Sequence, residues 1–191
     1  MATLDRKGRI RAVKLGMVTA LLVGGLGVTT QIGSAQSIGA LCDGRPASHP
    51  WLDASGQAGP TFIEGTRGDD VIIGSDGDDN IFGNGGNDII CGGPGTDNLN
   101  AGPGGDSVEE GGPGDDSLGT VGVVHSITMS GGTGDDGPNV GDTLAPSYIS
   151  GGPGDDTLQH GGTGSTVKMN GDDGFDLCIF RAGDELINCE Y

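Results

Sequence analysis

The sequence is poor in aromatic and basic residues. Aromatic side chains make up 4% of the 191 residues, and Lys and Arg together number nine, against 27 Asp and Glu. Few large apolar groups are available to offset the entropy lost on folding, so a conventional large core is not expected. The net charge of -18 repels nucleic acid and anionic lipid and attracts cations. We therefore exclude nucleic-acid binding.

The few basic residues are concentrated at the beginning of the chain. Five of the nine lie in the first fourteen positions, and an apolar, glycine-interrupted run at 15–28 follows them. Small residues at Gly33 and Ala35 complete the pattern of a secretory signal, which we expect to occupy residues 1–35 and to be cleaved after Ala35. A membrane anchor is the alternative, but the apolar run is short for a span. We expect no stable membrane insertion after cleavage.

Cysteine usage agrees with export. The chain has four cysteines, and an even number is typical of disulfide pairing in an oxidising compartment. Zinc binding is the alternative, but no CxxC pair is present. Four cysteines allow three connectivities. They are Cys42, Cys91, Cys178 and Cys189.

Glycine and aspartate, in contrast, recur with a fixed period. From residue 65 the chain reads GTRGDDVII, GSDGDDNIF, GNGGNDIIC, GGPGTDNLN and AGPGGDSVE. The fourth residue of each unit is Gly, the sixth is Asp and the eighth is Ile, Leu or Val. With one insertion placed at Glu110, the period becomes ten. The acid then recurs every twenty residues, and the units at 121, 141 and 161 lack it.

Each unit combines a six-residue turn with a three-residue strand. The glycines supply the positive φ angles of tight turns, and the strand has one central apolar residue. We therefore predict an all-β fold, a parallel β-roll or β-solenoid of 9- and 10-residue half-coils over residues 65–191. Pro138 replaces the apolar residue after Asp136 and should distort its coil. The predicted core positions are Ile72, Ile81, Ile90, Leu99, Val108, Leu118 and Leu158.

Residues 36–64 are expected to form an entry segment that caps the first coil. Terminal repeats of a solenoid need such a cap, because their outer face has no neighbouring coil. Trp51 and Phe62 are the large apolar side chains that we assign to this role.

Stacked turns bring the sixth-position carboxylates close together. Without a cation such a column is repulsive. Ca²⁺ takes six to eight oxygen ligands, so carboxylates and turn carbonyls from two stacked turns can complete its shell. Binding would then add the free energy that a thin core lacks.

At these residues the chain resembles the RTX, or haemolysin-type, calcium-binding repeat family, whose motif is GGxGxDxUx with a large apolar residue at U. The resemblance implies a parallel β-roll that holds Ca²⁺ between its turns through Asp and backbone oxygens. Carried over by motif position, the implied metal ligands are Asp70, Asp79, Asp88, Asp97, Asp106, Asp116, Asp136, Asp156 and Asp176.

The N-terminal signal and the cysteines depart from RTX toxins. The chain looks more like the small secreted calcium-binding repeat proteins of actinobacteria. The segment CDGRPASHP from residue 42 resembles a recurring entry segment of those proteins, and FDLCIFRAGDELINCE from residue 175 resembles a recurring exit.

The alternation of turns should give the solenoid two different edges. Asp70, Asp88 and Asp106 fall on one edge, which should be free of metal beyond Asp106. If each gap between stacked acids holds one ion, about seven sites are the upper limit. The six acids of the other edge are Asp79, Asp97, Asp116, Asp136, Asp156 and Asp176.

We also predict which cysteines pair. Cys178 and Cys189 lie eleven residues apart, close to one half-coil plus a turn, so a bond between them would pin the last coil. A bond between Cys42 and Cys91 would complete the pairing.

The sequence does not favour an enzyme. Its three histidines stand apart, with no HExxH and no G-x-S-x-G elbow. A β-helical lyase would need basic residues at its site, and few remain after signal cleavage. An extracellular adhesin that uses a solenoid face is the alternative, although no Thr-x-Thr array recurs. We expect a secreted, extracellular protein that folds on Ca²⁺; its macromolecular partner is not indicated, and cell-wall association is left open.

Overall fold

The computed structural model describes residues 41–190. The predicted signal at 1–35 lies outside these residues. One short 3₁₀ helix, Pro50–Leu52, precedes fifteen strands. In chain order these are β1 (Phe62–Glu64), β2 (Val71–Ile73), β3 (Asn80–Phe82), β4 (Ile89–Cys91), β5 (Asn98–Asn100), β6 (Gly104–Pro113), β7 (Ser117–Gly119), β8 (Val123–Thr133), β9 (Gly137–Val140), β10 (Asp142–Thr143), β11 (Ser147–Pro153), β12 (Thr157–His160), β13 (Val167–Asp173), β14 (Leu177–Ile179) and β15 (Glu185–Ile187).

The strands alternate between two parallel sheets. One sheet has the order β1-β3-β5-β7-β9-β12-β14, and the other has the order β15-β13-β11-β8-β6-β4-β2, with β10 paired to β8. Each strand therefore pairs with the strand one full coil away. Ile63 pairs with Ile81, and Ile81 pairs with Leu99 in the next coil. The predicted parallel β-roll of 9- and 10-residue half-coils is confirmed.

The core is a thin layer between the two sheets. One apolar column comes from each sheet, because only the central residue of a three-residue strand points inward. Six of the seven predicted core positions are buried in it, and Val108 is not. Among the described residues, the fully buried large apolar side chains are Leu52, Ile72, Ile81, Ile90, Leu99, Leu118, Ile127, Met129, Ile149, Leu158 and Met169.

Val108 misses the core because the insertion lies earlier than predicted. Gly104 bridges Gly86, eighteen residues before it, whereas Val108 pairs with Ile89, nineteen residues before it. The extra residue thus falls in the turn between Gly104 and Val108, and the insertion assigned to Glu110 is wrong. A one-residue shift exchanges the two faces of a strand. Glu109 therefore takes the core position, pairs with Ile90 and is fully buried.

The cap of the first coil also differs from the prediction. Trp51 and Phe62 are each 64% exposed, so the prediction that these side chains cover the core is wrong. Leu52 and Ala54 are buried in the main core instead. The 3₁₀ turn that begins at Pro50 directs Leu52 inward, and Trp51 stacks on His49 at the surface.

Pro138 does not distort its coil, which corrects a third expectation. It is buried and pairs in register with Leu118 of β7. Pairing of β9 with β12 begins one residue later, at Asn139. Proline lacks the N–H that a ladder needs, but its side chain still fills the core position.

Both predicted disulfides are present. Cys42 is bonded to Cys91 and Cys178 to Cys189. The first bond ties the entry segment to β4, and the second ties the last residues to β14. In the chain-entropy model, loops of 49 and 11 residues give about 4 and about 3 kcal/mol of stabilisation.

Glu109 makes the fold sensitive to pH. Burial raises the pKa of its carboxyl to about 8, and the charge of Asp88 raises it further, while backbone groups of Ala101 and Gly119 oppose the shift. The native state then binds more protons than the unfolded state between pH 4.5 and 8, so this group lowers stability as pH rises through that window.

We expect Glu109→Met, which places a Met against Met129 of the next coil, to remove this dependence. Chemical denaturation at saturating Ca²⁺ should show a gain over wild type that grows by at most about 1.4 kcal/mol per pH unit from pH 5 to 8. Glu110→Met, at the exposed neighbouring position, is the control and should show no such growth. Parallel stability profiles for wild type and Glu109→Met would contradict the assignment.

Candidate metal centre

The sixth-position aspartates lie where each turn enters its strand, with their side chains turned inward. Eight of them are at most 3% exposed, although Asp is almost never fully buried without a partner. The eight are Asp70, Asp79, Asp88, Asp97, Asp116, Asp136, Asp156 and Asp176.

Six of the eight form one long column, and one oxygen of each accepts a backbone N–H from the coil before it. The six are Asp79, Asp97, Asp116, Asp136, Asp156 and Asp176. The backbone N–H of Asp97 donates to Asp116 Oδ1 at 2.8 Å, and the N–H of Asp116 donates to Asp136 Oδ1 at 2.8 Å. Asp136 and Asp156 continue the series with Asp156 and Asp176 as acceptors. Each acid therefore links its own coil to the coil before it.

The second oxygen has no such partner in six of the eight. A buried carboxylate oxygen without a hydrogen bond is costly, and native proteins satisfy such atoms with a water molecule or an ion. These orphaned atoms are the Oδ2 atoms of Asp88, Asp97, Asp116, Asp136, Asp156 and Asp176.

In these units the first residue is a glycine that packs directly against Oδ2. A methyl group on Gly92 would collide with Asp97 Oδ2 and lie 2.8 Å from the carbonyl oxygen of Gly111 in the next coil. Gly111 stands in the same relation to Asp116 and to the carbonyl of Gly131. A carboxylate oxygen and a carbonyl oxygen thus converge at each of these glycines. Oxygen donors of this kind fit Ca²⁺.

Burial strongly perturbs these acids. It raises the pKa of Asp97 and Asp136 to about 7, and nearby carboxylates add to the rise, while backbone N–H groups oppose it. Asp88, Asp116 and Asp156 reach about 6 for the same main reason. The charged column is therefore unfavourable near neutral pH unless a cation compensates it.

A second acidic column runs outside the first. The fifth-position carboxylates Asp115, Asp135 and Asp155 are exposed, and their Oδ1 atoms accept backbone N–H groups of the next coil at 2.9 to 3.0 Å. They increase the negative potential around the buried column. The charge of Asp115, for example, raises the pKa of both Asp116 and Asp136.

The two edges differ as the alternation predicts, with one correction. Asp70 and Asp88 stack on one edge, and the other six buried acids stack on the opposite edge. Asp106 is exposed, and Ser107 takes its place beneath Asp88, so the prediction that Asp106 joins the column is wrong. The shift in β6 that buries Glu109 also moves Asp106 outward. Asp106 instead accepts the hydroxyl of Ser126.

Side chains alone do not complete a metal shell here. The described residues 41–190 contain no group of three or more His, Cys, Asp or Glu placed to hold a metal. Any ion must therefore take most of its ligands from backbone carbonyls. That requirement is met only where the turn carbonyls converge on Oδ2, as at Gly92 and Gly111.

Fold and site together define a β-solenoid with a ladder of buried turn carboxylates. The sequence matches the model of the RTX calcium-binding nonapeptide repeat in four copies, over residues 55–90, 76–108 and 147–165. The match confirms the resemblance to the RTX repeat family over these residues, and the closer likeness to small secreted actinobacterial proteins stays a prediction. No curated protein and no solved structure matches the chain.

The close approach of the carboxylate to the first glycine can be tested by adding a methyl group there. We expect Gly92→Ala to overpack the turn, to cost roughly 1–3 kcal/mol and to raise the Ca²⁺ concentration at the folding midpoint. Gly119→Ala is the matched control, because the nearest atom to its added methyl is Asn139 O at 3.7 Å, an ordinary contact. Equal Ca²⁺ midpoints for the two variants would show that the close approach at Gly92 is not needed.

Proposed function

We propose that the protein binds Ca²⁺ between stacked turns and completes its fold when it does so. The observation that carries the proposal is the set of six buried Oδ2 atoms without a partner, each packed against the first glycine of its unit. Calcium binding is what RTX repeats suggest, and the geometry adds which atoms are available for it.

The ion would supply the positive charge and the bonding partners that the column of carboxylates lacks. A divalent cation offsets the repulsion among stacked carboxylates and gives each free oxygen a partner. The thin core leaves the free energy of the apo fold small, so binding energy becomes folding energy. Extracellular calcium modules work at about 10⁻⁴ to 10⁻³ M, which sets the expected range.

The ions should gather on one edge. Five of the six orphaned oxygens, from Asp97 to Asp176, share the long column. With Asp106 outside the other column, that edge keeps only the gap between Asp70 and Asp88. Below Asp88 the inward positions of that edge are Ser107, Ile127, Ser147 and Val167, which carry no charge.

A calcium titration followed by far-UV circular dichroism tests the proposal. We expect the chain to be largely disordered in EDTA and to gain β-structure with millimolar Ca²⁺. A reduced sample belongs beside the oxidised one, because the two disulfides can preserve structure in the apo state. Coincident spectra in EDTA and in Ca²⁺, with and without reduction, would refute calcium-dependent folding.

The same titration on Asp156→Asn assigns the ligands. Asn keeps the Oδ1 acceptor for the N–H of Asp136 but removes the charged Oδ2, so the Ca²⁺ midpoint should rise several-fold. Asp142→Asn is the matched control. Its Oδ1 likewise accepts a backbone N–H from a neighbouring coil, that of Thr163, but it is exposed to solvent and lies on the other edge, beyond the buried pair Asp70 and Asp88. Equal shifts in the two variants would argue against a one-sided ladder.

We further propose that the protein is secreted and acts outside the cell. The basic start, the apolar run and the two disulfides support this proposal. The part of the chain that the structure describes has no helix long and apolar enough to cross a bilayer. The secreted product should begin at Gln36, and its intact mass measures this directly. A mass that retains residues 1–35 would point to a membrane anchor.

We also propose a non-enzymatic role. Each described histidine is accounted for by a local contact: His49 with Trp51, His125 with Asp106, and His160 with Asp184. An adhesive role for a solenoid face is the alternative. The outer face of the seven-stranded sheet presents amide side chains from Asn80, Asn98, Asn100, Asn139 and Gln159.

A further inference from the structure

Two of the eight buried aspartates are already satisfied by the protein. Both oxygens of Asp79 accept hydrogen bonds. The backbone N–H of Ser75 donates to Oδ2 at 2.5 Å, and the Ser75 hydroxyl donates to Oδ1 at 2.8 Å. The N–H of Thr61 in the entry segment also donates to Oδ1, at 2.6 Å. No lone buried oxygen is left for an ion.

Asp70 is satisfied in the same way. The N–H and the hydroxyl of Thr66 donate to its Oδ2 at 2.6 and 2.9 Å. The hydroxyl of Ser48 donates to Oδ1 at 3.0 Å. Thr66 and Ser75 hold the same place in their units, the second position, where the repeat motif has glycine.

The six other units that carry a buried aspartate differ at that second position. Its residue has a positive φ in every one of them, including two that are not glycine, Asn84 and Asp172, both at 75°. Thr66 and Ser75 are not among the described residues with positive φ. In the open conformation the N–H points away from the acid: Gly93 N–H donates to the carbonyl of Gly111 in the next coil, at 3.0 Å. Gly112, Gly132 and Gly152 complete the set of six.

We infer that, in the eight units with a buried aspartate, the second residue decides whether the turn takes Ca²⁺. This inference rests on the proposed function and refines it. Where the residue has positive φ, Oδ2 is left open to an ion. Where it is Thr or Ser with negative φ, its N–H and hydroxyl occupy the lone pairs of the carboxylate. An ion would then have to displace those bonds, which charged acceptors make roughly twice as strong as neutral ones.

The closed turns are those next to the entry segment. Thr61 and Ser48, which complete the shells of Asp79 and Asp70, belong to that segment, and Cys42 of the same segment is bonded to Cys91. The first coil is thus held by protein groups alone. The calcium-dependent part of the solenoid begins at Asp88 and Asp97.

Substitution at Ser75 tests the inference through bound calcium. We expect Ser75→Gly and Ser75→Asn to bind one more Ca²⁺ per chain than wild type. Gly and Asn both accept a positive φ, which would turn the N–H of residue 75 away from Asp79 Oδ2 and leave that oxygen free for an ion. Ser75→Ala keeps the N–H donor and the negative φ, so it should bind the wild-type number. Thr133→Gly, at the exposed third position of an open turn, controls for the added glycine and should also bind the wild-type number.

The readout is the number of ions bound at saturation, measured by flow dialysis with radioactive calcium on the full oxidised protein and checked by metal analysis. Ser75→Gly and Ser75→Asn at the wild-type number would overturn the inference, as would anomalous scattering from Ca²⁺ beside Asp79 in the wild type. Failure of the proposed function looks different, because the wild type would then bind no Ca²⁺. Circular dichroism at saturating Ca²⁺ confirms that each variant is folded.

Discussion

The whole solenoid depends on how a stack of buried carboxylates is satisfied. From Asp97 to Asp176, one oxygen of each acid accepts the N–H of the acid in the preceding coil, so the column links successive coils along the long edge. The other oxygen of these five acids lies buried without a partner. The column therefore orders the coils and carries an electrostatic cost at the same time. A cation at the second oxygen would remove that cost and keep the order.

Glycine makes that arrangement possible for a steric reason. At the first position of a unit any side chain would overlap the carboxylate and the carbonyl of the next coil, as at Gly92 and Gly111. At the second position a positive φ turns the N–H toward the neighbouring coil, as at Gly93. The glycines thus bring a carboxylate and a carbonyl oxygen together, and an ion bound there would offset their loss of conformational freedom on folding.

Much of this could be predicted from the period alone. A sixth-position Asp and an eighth-position apolar residue repeated at nine, then ten, were enough to predict the coil, the two edges and six of the seven core positions. The failures lie where the period breaks. Between Gly104 and Val108 the pattern favours the register with an acid, Asp106, and an apolar residue, Val108, in their usual places, and the prediction followed it. Pairing with β4 selects the other register and buries Ser107 and Glu109.

The cap could not be predicted for a different reason. Size alone suggested Trp51 and Phe62, but the direction of a side chain depends on the local backbone. The 3₁₀ turn at Pro50 directs Leu52 inward. The sequence shows that Thr66 and Ser75 depart from the glycine of the motif. Their role is seen only from the hydrogen bonds that they donate to Asp70 and Asp79.

The far end of the solenoid is also held by protein groups. Asp184, in the loop before β15, pairs with buried His160 at 2.9 Å and accepts the backbone N–H groups of Val167 and Arg181. Burial would raise the pKa of Asp184, but these hydrogen bonds hold it below its ordinary value. Together with the bond from Cys178 to Cys189 they fix the last coil. Hydrogen bonds and disulfides thus tie both ends, whereas the orphaned Oδ2 atoms run from Asp88 to Asp176. If the proposed calcium binding holds, ions would be needed along that stretch and not in the first coil, where the entry segment satisfies Asp70 and Asp79.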